Sequence, residues 1–98
     1  MRLRLTDQAA RDLSDIWLYV ARDGPAKADK VLDRIDDRLR LIAAYPLIGR
    51  TRSDIGRDVR LIAIERWLIL YRIERNTVVV SRVIDGARNL ALVAKPRR

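Results

Sequence analysis

After four alternating residues, the apolar residues of this chain change their spacing once more. From Ala9 to Pro46 they recur every three or four positions, and from Val59 they fill strands at every position or every second one. Helices followed by strands satisfy both halves, because side chains share a helical face at a period of about 3.6 and a sheet face at alternation. Arg2-Leu3-Arg4-Leu5 alternates strictly and predicts a short opening strand. Thr6 then offers an N-cap oxygen and Asp7 a first-turn acid. Ala9, Leu13, Ile16, Trp17 and Val20 define one face of a helix over residues 7–22, with Arg11, Asp12, Asp15 and Arg22 turned largely away. Gly24 breaks that helix and Pro25 suits the first turn of the next, which buries Ala28, Val31, Leu32, Ile35, Leu39 and Ile42 over residues 25–44. Pro46 stops it, and the short break between the two predicts an antiparallel helical hairpin.

Residues 47–58 hold two glycines and mixed charges with no sustained period, which reads as a surface loop. Val59–Ile64, Trp67–Ile73 and Val78–Ile84 are rich in β-branched and aromatic residues, with breaks short enough for hairpins. The expected fold is a single α+β domain over residues 1–98 in the order β-α-α-β-β-β. The helical hairpin packs on one face of an antiparallel sheet, with room for a short C-terminal helix. In the middle strand Trp67, Ile69, Tyr71 and Ile73 point one way and Leu68, Leu70 and Arg72 the other, so both sheet faces are substantially apolar. Two helices cover only one of them. Some of the second face is therefore expected to be covered by residues 87–94 or by another protein, and Trp67, Leu68, Ile69, Leu70 and Tyr71, drawn from both faces of this strand, are the expected partner-binding residues.

The chain carries a net charge of +8, and 18 of its 21 cations are arginine. Residues 1–44 are nearly neutral, so the excess lies in residues 45–98, where Arg50, Arg52, Arg57, Arg60, Arg72, Arg82 and Arg88 are spread along loops and strands. The arginine fork binds carboxylates and phosphates, which points to an anionic partner. There is no cysteine and no histidine, excluding disulfides, thiolate metal sites and the usual neutral-pH proton carrier. No cofactor or metal is expected. No apolar run approaches the roughly 20 residues that cross a bilayer, and residues 1–7 lack a signal-peptide apolar region, so a cytoplasmic protein without membrane contact is expected. On the second helix Asp29, Asp33 and Asp37 form a stripe beside Lys30, Arg34 and Arg38. Adjacent opposite charges of this kind make a solvated face with weak pairing rather than a metal or phosphate site.

Several short strings now fall into a known order. They are Ala10, Asp12, Leu13 and Ile16 on the first helix, Pro46-x-x-Gly49-Arg50 after the second, and Val59-Arg60 entering the sheet. Leu70-Tyr71-Arg72-Ile73 and Val80-x-Arg82-Val83-Ile84-x-Gly86-x-Arg88 complete the series. Together they resemble the ParE/RelE superfamily of toxin–antitoxin toxins, and more closely its ParE branch. The resemblance implies a compact toxin neutralised by a cognate antitoxin whose extended and helical C-terminal region wraps around it. ParE-like relatives inhibit DNA gyrase, whereas RelE-like relatives cleave messenger RNA on the ribosome. Nucleic acid would be met only indirectly, through the antitoxin complex or gyrase.

An RNase that uses the 2′-hydroxyl needs a base, an acid and positive charge for the phosphorane. Arg60, Arg72 and Arg82 supply the charge in a RelE-like reading. The proton carriers are lacking: Asp85 stands where many relatives carry His, and no Tyr occupies the C-terminal segment. Asp54 and Glu65 read as loop or turn carboxylates paired with arginine. The expectation is a non-enzymatic gyrase inhibitor with Arg60, Arg82 and Arg88 as target contacts. The alternatives are a RelE-like endonuclease, or an inactive homologue kept for antitoxin binding and promoter autoregulation.

Overall fold

A computed structural model describes residues 1–87, so Arg88, residues 95–98 and most of the 87–94 segment lie outside the described residues. Its elements are β1 (Arg2–Leu5), α1 (Asp7–Ala21), α2 (Pro25–Ala44), β2 (Arg50–Thr51), β3 (Arg60–Ile64), β4 (Trp67–Glu74) and β5 (Thr77–Asp85). The expected order holds, with one two-residue strand inside the stretch read as loop. The five strands form one sheet in the order β1-β5-β4-β3-β2. Every neighbouring pair is antiparallel except β1 with β5, which run parallel. The helical hairpin makes that parallel pairing possible, since it carries the chain from the end of β1 back over the sheet.

Local chemistry fixes the turns. Thr6 is extended at φ −67° and ψ 161°, and its hydroxyl oxygen accepts from the Ala9 N–H at 3.1 Å, capping α1. Gly24 sits at φ 148°, a conformation that disfavours a Cβ, and hands the chain to Pro25 at the start of α2. Arg75 and Asn76 both take positive φ in the two-residue link from β4 to β5, the handed turn that matches sheet twist.

The core lies between the helices and one sheet face. Ile16, Val31, Ile35, Leu39 and Ile42 meet Trp67, Ile69, Tyr71, Val78, Val80 and Val83. The opposite face has its own smaller cluster, in which Ile55 covers Leu61, Leu70 and Ile84, with Val59 and Leu68 packed at its border. Part of this face is thus covered by the chain's own loop, a contribution the sequence did not show. The loop folds back and supplies Ile55, whose isolated apolar character among polar neighbours gives no period to read.

Candidate functional site

The second helix must end so that the chain can enter the sheet, and Tyr71 organises that passage. Its hydroxyl donates to the Pro46 carbonyl at 2.7 Å and accepts from the Gly49 N–H at 2.8 Å. Gly49 packs so closely on the ring that an added Cβ would lie 2.5 Å from the hydroxyl oxygen. Burial pushes the Tyr71 hydroxyl up, while the Gly49 N–H and the charge of Arg60 pull it back. It remains protonated at neutral pH and able to donate. Arg60 closes the same passage by donating to the Gly49 and Leu47 carbonyls at 2.8 and 3.3 Å. The backbone of residues 46–49 is therefore tied down, while Tyr45, Leu47 and Ile48 project into solvent, Leu47 with 69% exposure. Held backbone with free apolar side chains is a surface preorganised for contact.

A second polar site secures β5 where β1 stops. The Thr6 N–H donates to the Val80 carbonyl and its hydroxyl to the Ser81 carbonyl, both at 3.0 Å. Asp12 then accepts from the Val83 N–H at 3.0 Å and from Arg82 Nε at 2.8 Å. The register slips between Leu70 and Tyr71, leaving an extra residue on β5 at this point. Asp12 was expected to face solvent and is instead buried, because it serves a sheet edge that has lost its neighbouring strand. Its pairing holds Arg82 protonated more firmly than a free guanidinium, against the opposing cost of burial.

These arrangements locate the sequence candidates. Arg60 holds loop carbonyls, Arg72 pairs with Glu74 and Arg82 pairs with Asp12. Arg60 opposes Tyr71 in the ladder and so shares the helix-facing side, whereas Arg72, the next residue along, points to the other side. The three do not converge. Asp54 is held by Arg52 at 2.7 Å and Glu65 by Arg34, so both carboxylates have arginine partners. Asp85 pairs with Arg66 and accepts from the Ala87 N–H at 3.0 Å, closing the end of β5. The Arg66 guanidinium also lies 5.0 Å from the Trp67 ring centroid and 5.5 Å from that of Tyr19.

Of the five residues expected to meet an antitoxin, Trp67, Ile69 and Tyr71 lie in the chain's own core under the helices, and Leu70 is buried on the opposite face. Leu68 alone keeps partial exposure. Tyr45, Leu47 and Ile48 were missed as surface candidates, although the apolar run around Pro46 was a readable signal. Among the described residues no cluster of three metal-ligating side chains occurs, and no helix is long and apolar enough to cross a membrane.

A helical hairpin on a β1-β5-β4-β3-β2 sheet, with Arg82 anchored to the first helix, defines a small α+β fold. The profile of the family described as the ParE toxin of the type II toxin–antitoxin system parDE matches residues 3–90. The chain belongs to that family. It is similar to Toxin ParE3 of Caulobacter vibrioides, at 33% identity over 91 residues, covering 92% of this chain and 91% of the relative. Toxin RelE3 of the same organism is 26% identical over 82 residues, covering 83% of this chain and 89% of that one. A solved structure titled "Chromosomal ParDE TA system from P. aeruginosa" shares the fold at a TM-score of 0.77 and 24% identity, over 87% of this chain and 95% of that one.

Proposed function

We propose that the chain is a cytoplasmic toxin that acts by binding, with DNA gyrase as target and a cognate antitoxin as its stable partner. The observation that supports binding over cleavage is the dispersal of Arg60, Arg72 and Arg82. Each is held by a different intramolecular partner, and Arg60 and Arg72 lie on opposite sheet faces. A phosphorane would need such charges to converge on one oxygen cluster. ParE family membership supports gyrase over the ribosome, and the family's pairing with antitoxins supports the partner. The preorganised surface of Tyr45, Leu47 and Ile48 offers that partner an apolar contact.

The experiment is induced expression with two readouts. Filamentous cells, a DNA-damage response and loss of supercoiling by purified gyrase are expected, while translation of existing messages continues at first. Rapid cleavage of messages in the ribosomal A site would overturn the reading. The 26% identity to a RelE-named toxin makes this the outcome to look for.

A further inference from the structure

The cations of the described residues are unevenly neutralised. Arg34, Arg40, Arg52, Arg57, Arg66, Arg72 and Arg82 each have a carboxylate within ion-pair distance. Arg2, Arg4 and Arg75 have none among the described residues, yet they line one open cleft with Glu74, Thr77 and Val79. The only carboxylate in that lining, Glu74, is already paired with Arg72. Three unneutralised guanidinium groups therefore gather at one corner of the sheet, on the face away from the helices.

That corner is also a sheet edge. β1 is the outermost strand and pairs with β5 alone. The Thr6 N–H bonds to Val80, and backbone N–H groups alternate in direction along a strand, so those of Arg2 and Arg4 also face β5. Those of Leu3 and Leu5 point outward, with their carbonyls, and no described residue bonds to them. An open edge offers an incoming strand its backbone hydrogen bonds. Arg2 and Arg4 stand two residues apart on one face of that edge, about 6.6 Å at the usual strand rise.

Taken together, the open edge and the arginine pair carry a specific inference. We infer that β1 accepts an extended acidic peptide segment as a sixth strand, with carboxylates at alternate positions set opposite Arg2 and Arg4 and Arg75 attracting them at the end of the cleft. A phosphate polymer would use the arginines but leave the outward Leu3 and Leu5 groups unbonded, so the edge favours a peptide. A second copy of this chain is disfavoured, since antiparallel pairing of two β1 strands sets arginine against arginine. The proposal rests on the antitoxin reading only for the source of the segment.

The test uses the full chain with three probes: the peptide acetyl-Val-Glu-Val-Glu-Val-Glu-Val-amide, the same peptide with Lys for Glu, and a 12-base-pair DNA duplex. Amide hydrogen exchange is followed by NMR and affinity by fluorescence anisotropy. The Glu peptide should slow exchange at Leu3 and Leu5 by about tenfold or more, and leave Arg2 and Arg4 little changed. It should bind at least about tenfold tighter than the Lys peptide, and R2E/R4E should reverse that order while leaving the melting temperature in place. Duplex binding that depends on Arg2, Arg4 and Arg75 without protecting the Leu3 amide would assign a phosphate site instead and overturn the proposal. Protection that rises with chain concentration and no peptide would assign the edge to self-association, and absence of protection by any probe would also overturn it. Rescue of toxicity by an antitoxin is scored separately. If rescue succeeds and the edge stays unprotected, the strand proposal alone fails. If the peptide protects the edge and no antitoxin rescues, only the source of the segment is wrong.

Discussion

Gly49→Ala isolates the packing of Tyr71 against the helix-to-sheet passage. The added methyl would lie 2.5 Å from the Tyr71 hydroxyl oxygen, 2.7 Å from Cε1 and 2.9 Å from Cζ. Tyr71 is fully buried and is pinned by bonds to Pro46 and Gly49, so its ring has no free volume to enter. Overpacking of a buried site costs about 1–3 kcal/mol, and a disturbed hydrogen bond adds about 1 kcal/mol. A total of about 2–4 kcal/mol corresponds to a fall of roughly 10–25 °C in melting temperature for a domain of this size. Tyr71→Phe alone should cost about 1–3 kcal/mol, by leaving the Gly49 N–H and Pro46 carbonyl unpaired. The double variant removes the closest clash and keeps the two ring contacts, so its loss should be smaller than the sum of the singles by about 1 kcal/mol. Urea unfolding of the four proteins measures each quantity. A Gly49→Ala variant within about 0.5 kcal/mol of the parent, or strict additivity in the cycle, would refute the claim that this contact fixes the passage.

Three further outcomes follow from the same geometry. Arg82→Ala strips the charge partner from the buried Asp12, and should cost about 2–4 kcal/mol in urea, whereas Asp12→Asn, which keeps an acceptor for the Val83 N–H, should cost less; the reverse order would remove Asp12 from its edge-capping role. Because the folded-state pKa of Tyr71 is raised above the ordinary 10.0, its contribution is present below pH 10 and is lost as the pH rises through the folded value. Alkaline melting curves should therefore fall more steeply for the parent than for Tyr71→Phe. Among variants that keep the parent melting temperature, Arg88→Ala or removal of residues 88–98 should weaken toxicity more than the triple change of Lys30, Arg34 and Arg38 to Ala, and a harmless triple beside a lethal tail variant would place the active surface on the helices instead.

Much of the fold is legible because single residues carry decisive local chemistry. Thr6, Gly24, Pro25 and Pro46 set the helix boundaries, and α2 spans Pro25–Ala44 as its periodicity predicts. The three later strands fall within a residue or two of their apolar runs. The parallel pairing of β1 and the Arg50–Thr51 strand are not legible, since both depend on where distant segments meet rather than on local pattern. The same limit hides the site. Asp12 reads as one more polar residue on a solvated helix face until β5 is seen to continue past the end of β1.

The arginines show why charge alone misleads about function in so small a domain. A chain of 98 residues has little apolar volume, and its strand ends, loop carbonyls and sheet edges still need partners. A guanidinium satisfies several of these at once through its five donors, as Arg60 does at the passage and Arg82 does beside Asp12. Arginines set within the apolar strands are therefore drawn into structural roles, because a charge there must find a partner nearby. Among the described residues Arg2, Arg4 and Arg75 have no carboxylate partner, as is also true of Arg11, Arg22, Arg38 and Arg50, but these three share one cleft, on the outer strand and a hairpin tip. For Arg2, Arg4 and Arg75 it is the place beside an open edge, and not the charge alone, that sets what kind of chain they can hold.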